Sequence, residues 1–213
     1  MTARTLAVVS AGLSTPSSTR LLADRLSAAS VAALRSAGDD PTVQVVELRD
    51  HARNLADNLV TGFADGTLQP VIDSVTSADG LIVVTPVFSG SYSGLFKTFF
   101  DVLPRDALAG KPVLAAATGG TARHSLALDY AVRPLLTHLR AATVPTAVFA
   151  APEDWAGAEA LRPRVERAAA ELAGLVAGTR HAPDGSPDGS PVDPPLDGPF
   201  GGTPPFAQLL GQG

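Results

Sequence analysis

Five stretches of the chain are apolar at nearly every position, and helical periodicity fills the gaps between them. Residues 5–10 (Thr-Leu-Ala-Val-Val-Ser), 42–48, 80–85 (Gly-Leu-Ile-Val-Val-Thr), 112–118 and 143–150 have the length of strands, and the second is strongly β-branched. Leu21, Leu22, Leu26, Ala29 and Ala33 recur at helical spacing over 18–37, and Gly38, a good helix stop, follows them. Residues 51–77 predict a loop and one or two helices, with Leu55, Leu59 and Val60 on one stripe and Leu68, Val71, Ile72 and Val75 on another. Further helices are predicted over 93–103, stopped by Pro104, over 125–140 and over about 156–177. Strands that are apolar on both faces and alternate with helices predict a parallel sheet covered on both sides, an α/β three-layer, doubly wound sandwich. Ligands of such sheets sit beyond the carboxyl ends of the strands, so the segments just after each strand are the informative ones.

Composition narrows the picture. Hydrophobic residues are 45% of the 213 and aromatics only 5%, so Val, Leu, Ala and Ile must build the core. After about residue 180 the chain changes character: residues 181–213 hold eight Pro and seven Gly, with Pro-Asp-Gly-Ser at 183–186 and again at 187–190. The expected organisation is one domain over 1–180 and a Pro/Gly-rich tail over 181–213, whose apolar end (Phe206 to Leu210) either docks or stays free. A formal charge of −5 with no basic run argues against nucleic acid. Cysteine is absent, which removes disulfides, thiolate nucleophiles and Cys-ligated metals, so redox chemistry would have to live in a cofactor. His51, His138 and His181 are scattered without ligand spacing, so no metal is expected. The first apolar run is too short for a signal peptide or a membrane span, and the expectation is a cytoplasmic protein with no membrane association.

The segment after the first strand, Ser10 to Arg20, has neither Gly-x-Gly-x-x-Gly nor a P-loop. It offers hydroxyls, Ser17, Ser18 and Thr19, at the start of a helix whose free N–H groups and dipole favour an anion. Such a loop suits a terminal phosphomonoester held by neutral donors; it equally suits an ordinary Ser/Thr helix cap.

The segment after the third strand runs Thr85-Pro86-Val87-Phe88-Ser89-Gly90-Ser91-Tyr92-Ser93-Gly94-Leu95-Phe96-Lys97-Thr98-Phe99-Phe100-Asp101. It resembles the NAD(P)H-dependent FMN reductase family, which carries Thr-Pro-x-Tyr-x-x-Ser-x-Ser-Gly-x-Leu-Lys-x-x-x-Asp here, with Phe88 in place of Tyr and Phe96 in place of Leu. The hydroxyl-rich first loop and the Gly119-Gly120 segment fit the same family, and the resemblance spans about residues 5–175. It implies a flavodoxin-like fold with five parallel strands in the order 2-1-3-4-5. It implies FMN, with Ser10, Ser17, Ser18 and Thr19 at the phosphate end and Thr85, Pro86, Val87, Phe88 and Ser89 along the ring. Thr118, Gly119, Gly120 and Thr121 would reach the ring's pyrimidine side. NADPH or NADH would be the co-substrate, with hydride passing to flavin N5 and no catalytic side chain required. The resemblance further implies a homodimer or homotetramer, and a product that a partner flavin-dependent monooxygenase could consume. Phe at 88 keeps the family's ring and deletes its hydroxyl, and Pro86 and Gly90 predict an irregular loop for this segment.

Two adjacent glycines, 119 and 120, let a backbone come close to a planar ligand. Arg123 is either a contact for nicotinamide-nucleotide phosphates or a solvated or subunit-paired charge, and His124 either neighbours the flavin or caps the next helix. Phe96, Phe99 and Phe100 read as core, and Lys97 and Asp101 as part of a helix start, with a partner subunit as the second reading. Two other functions share the fold: an FMN-containing reductase of quinones, azo dyes or metal oxyanions, and a flavodoxin-like electron carrier. Carriers are usually more acidic and have a Thr-rich first loop, neither of which is present here.

Overall fold

The computed structural model describes residues 1–178 apart from Gly157; the tail expected over 181–213 lies outside the described residues. Three long parallel strands lead the sheet, β1 (Ala3–Ser10), β2 (Asp40–Glu47) and β3 (Gly80–Phe88), with β1 between the other two. A two-residue strand, β4 (Ser91–Tyr92), folds back antiparallel on the end of β3. β5 (Pro112–Thr118) pairs in parallel with β3 and carries both β6 (Ala142–Thr143) and β7 (Val148–Ala150) on its other edge. The parallel path is β2-β1-β3-β5-β6, which matches the expected five-stranded 2-1-3-4-5 in part: the sheet has seven strands, with β4 added on β3 and the fifth position split between β6 and β7.

Alternation along the strands explains the three layers. Leu6, Val8, Ile82, Val84, Leu114 and Ala116 face α1 (Ser18–Ser36) and α7 (Ala158–Gly178), where Leu22, Leu26, Leu161, Leu172 and Val176 complete one core. The residues between them, Ala7, Val9, Leu81, Val83, Val113 and Ala115, face the opposite way. There they meet α2 (Ala52–Thr61), α3 (Gln69–Ser77), α4 (Gly94–Asp101) and α5 (Arg133–His138). Neighbouring side chains of a strand point to opposite faces, so a run apolar at every position must be covered twice.

Two expected elements differ in detail, and one expected with alternatives takes one of them. The strand expected over 143–150 is interrupted because Pro145 has no N–H to give and the Thr146 N–H goes to the Glu171 carboxylate at 2.7 Å. Residues 51–77 form two helices, parted after Gly62, whose φ of 79° caps α2 in the left-handed region. The single helix expected over 125–140 is a π turn at Leu128–Val132 followed by α5. Pro134 has no N–H for the carbonyl of Tyr130, and its ring crowds that carbonyl; the widened turn lies immediately upstream.

Candidate flavin cleft

β1, β3 and β5 all end at one edge, and the chain leaves each of them into a loop bordering a cleft of about 430 Å³. Its first wall is the turn from β1 into α1. Ser17 caps α1: its Oγ accepts from Arg20 N at 3.2 Å. The backbone N–H groups of Ser18 and Thr19, left over at any helix start, have no hydrogen-bond partner among the described residues. Gly12 lets the turn close on the cap, since a Cβ there would lie 2.1 Å from Ser17 Oγ and 3.2 Å from its Cβ. Both readings of these hydroxyls therefore meet in one residue, because a capping Oγ that accepts one hydrogen bond keeps its own hydrogen to donate. Thr19 is buried and pairs with Thr118, Oγ1 to Oγ1 at 2.8 Å, which ties the start of α1 to the end of β5.

The second wall is the end of β3. Pro86, Val87 and Phe88 line the cleft, and Phe88 is half exposed. Ser89 and Gly90 have φ of 50° and 81°, and they join Phe88 to Ser91 as a two-residue hairpin turn in place of the irregular loop expected. Thr85 is fully buried: its Oγ1 donates to Pro86 O at 2.9 Å and accepts from Ser93 N at 3.0 Å, bracing the loop against the start of α4. Ser10 is likewise fully buried, at the end of β1, and its Oγ has no hydrogen-bond partner.

Gly119 and Gly120 form the third wall, and they differ. A Cβ at 119 would meet the Phe149 ring at 2.7 Å, whereas one at 120 would project into open space. Thr121 caps a short turn, Ala122–His124, that exposes Arg123 and His124 beyond the cleft lining. Of the predicted residues, then, Ser17, Ser18, Thr19, Pro86, Val87, Phe88, Thr118, Gly119 and Gly120 line one cleft. Ser10 and Thr85 lie buried at the ends of their strands, outside the lining, and Ser89, Thr121, Arg123 and His124 also fall outside it. Sequence reasoning missed Leu13, Ser14 and Pro152, which complete the lining. It also passed over Arg49, whose Nη1 donates to Ser14 O at 3.0 Å and to Thr15 Oγ1.

The donor set fits FMN. The α1 wall gives hydroxyls and helix-start amides suited to a phosphate; the β3 and β5 walls give apolar side chains and an unobstructed glycine suited to a flat ring. Arg20 stands beside the phosphate end but is held above the ordinary guanidinium range by its hydrogen bond to Asp24, at 2.7 Å, and then by Glu47, at 2.5 Å. Among the described residues no group of three His, Asp or Glu side chains is placed to hold a metal ion, and no helix is long and apolar enough to cross a membrane.

The chain is similar to known proteins. The family model described as NADPH-dependent FMN reductase matches residues 4–156. A Pseudomonas aeruginosa protein named FMN reductase (NADPH) is 43% identical over 139 residues, 63% of this chain and 75% of that one. A Pseudomonas putida protein named NADH-dependent FMN reductase SfnE is 42% identical over 142 residues, covering 65% and 76%. The crystal structure of an oxidoreductase from Corynebacterium diphtheriae superposes with a TM-score of 0.82 at 49% identity, over 84% of this chain and all of that one.

Proposed function

The chain belongs to the family of NADPH-dependent FMN reductases, and from that premise we propose how its own residues carry out the reaction. The activity is reduction of FMN at the expense of NADPH or NADH. The observation that carries the residue assignment is the lining of the cleft: hydroxyls and helix-start amides on the α1 wall, Pro86 to Phe88 and the unobstructed Gly120 on the other two.

The N–H groups of Ser18 and Thr19 and the Ser17 hydroxyl bind the phosphate, aided by the α1 dipole. Pro86, Val87 and Phe88 shield the ring from water on their side, and Gly120 lets the backbone approach it. When bound, FMN supplies the N5 position that accepts hydride from the nicotinamide. The chain itself donates no proton and forms no bond; it orients two ligands and sets the field around them. Arg123, exposed on the turn that follows Gly120, is the proposed grip for the nicotinamide nucleotide's phosphates, with His124 beside it.

The test is NADPH or NADH consumption by the full chain. Oxidation should require added FMN, and reduced flavin should pass into a protein-free filtrate, as a partner monooxygenase would need. Nucleotide consumption that ignores FMN would overturn the reading; reduced flavin retained by the protein would point to a bound-FMN reductase of a second acceptor. We also propose a cytoplasmic homo-oligomer. Its support is a groove of about 670 Å³ between α4 and α5, bordered by Tyr92, Phe100, Leu103 and Leu135, with exposed Tyr130 at its edge. Sedimentation at micromolar concentration would show a dimer or tetramer; a monomer would remove that part.

A further inference from the structure

The residues after β2 do not line the cleft, yet one of them reaches its wall. Arg49 lies in the short turn Leu48–His51, and both of its hydrogen bonds go to the first loop: Ser14 O, at 3.0 Å, and Thr15 Oγ1. Ser14 lines the cleft. The charge balance distinguishes the two guanidiniums nearby. Arg20 spends its hydrogen bonds on two carboxylates, Asp24 and Glu47, which neutralise it. Arg49 gives its bonds to uncharged oxygens, and its closest carboxylate contacts, Asp50 at 3.6 Å and Glu47 at 3.8 Å, are longer than hydrogen bonds. Glu47 is largely buried, and its Oε2, which faces Arg49, has no hydrogen-bond partner; its other oxygen holds Arg20. One carboxylate thus lies between both arginines, and the one with the longer ion pairs, whose hydrogen bonds go to loop oxygens instead, reaches the cleft wall.

We propose that Arg49 is a positioning residue for the FMN phosphate, fixing Ser14 and Thr15 from behind the loop and setting the preference for phosphorylated over unphosphorylated flavin. This rests on the FMN site described above. A phosphomonoester brings a charge of about −1.5 to −2 at neutral pH, and riboflavin brings none. Arg49 acts on that difference through a loop that the hydroxyls alone would leave less constrained.

Titration of the full chain with FMN and with riboflavin, followed by flavin fluorescence, tests it. Arg49→Ala should weaken FMN roughly tenfold while riboflavin stays within about twofold, the loss expected when the charge-assisted hydrogen bonds that hold the loop are removed. Arg49→Gln keeps a donor without the charge and should fall between, and Arg49→Lys should recover most of the affinity. In turnover the loss should appear in KM for FMN. Equal weakening of both flavins, or unchanged FMN affinity, would overturn the proposal; should Arg49→Ala fail to fold, the Gln and Lys variants decide it by the same ratio. A wild-type chain that binds riboflavin as tightly as FMN would instead overturn the phosphate cradle itself.

Discussion

Gly120→Val is expected to leave the fold intact and to weaken FMN binding roughly 10–100-fold. No atom lies within 4 Å of the place a Cβ would occupy at Gly120, so the folded chain has room for the side chain. Gly120 lines the cleft, so a ring lying against the glycine would have to move aside. Displacing a close-packed group costs about 1–3 kcal/mol, which brackets the stated range in affinity. The thermal midpoint should shift by no more than about 2 °C, as for a substitution that meets nothing in the folded state. Gly119→Ala should do the reverse. Its Cβ would enter the buried Phe149 ring at 2.7 Å, so the cost of about 1–3 kcal/mol falls on stability. Calorimetric titration with FMN beside thermal melts of both variants separates the two effects. Wild-type FMN affinity in Gly120→Val would show that the ring does not lie along this wall.

The same pair of glycines shows how far sequence reasoning reaches. Adjacent glycines after a buried strand announce a close approach, but not to what; the neighbour of Gly119 is thirty positions away in β7 and is protein, not ligand. The parallel strands were legible because every position of β3 and β5 up to Val87 is apolar or buried, a pattern only a doubly covered sheet explains. The break in the last strand was half legible. Pro145 is visible in the sequence, but the capture of the Thr146 N–H by Glu171 depends on a helix 25 residues on. Ser89-Gly90 carries the signature of a two-residue hairpin but reads as irregular loop, since Pro86 predicts the end of the strand that in fact continues through Phe88. The loops after β1, β3 and β5 were read for chemistry because hydroxyls and glycines mark them. The turn after β2 was not, because an Arg there has the same appearance whether it is solvated or reaches back to Ser14.

The aromatic row beneath the hairpin gives the largest expected loss of stability. Phe96 is fully buried, its ring 4.7 Å from Phe100 and 5.8 Å from Tyr92, while Phe99 meets Phe100 edge-on at 5.4 Å. In a chain with so few aromatics these rings fill space that Val and Ala elsewhere fill by number. Phe96→Ala would leave a cavity in the core shared with Leu55, Leu81 and Val83, at a cost of about 3–5 kcal/mol. Against the 5–15 kcal/mol typical of a whole domain, that is a large fraction of what holds the chain folded. Phe96→Leu, which restores the residue of the family pattern, should cost much less because most of the volume stays. Tyr92 sits on β4 and leans on Phe96, so the hairpin that carries Phe88 to the cleft stands on this ring. Urea unfolding midpoints of the two variants measure the difference. A Phe96→Ala chain within about 1 kcal/mol of the wild type would mean that the site closes over the lost ring, and that the hairpin takes its support from the Thr85 brace instead.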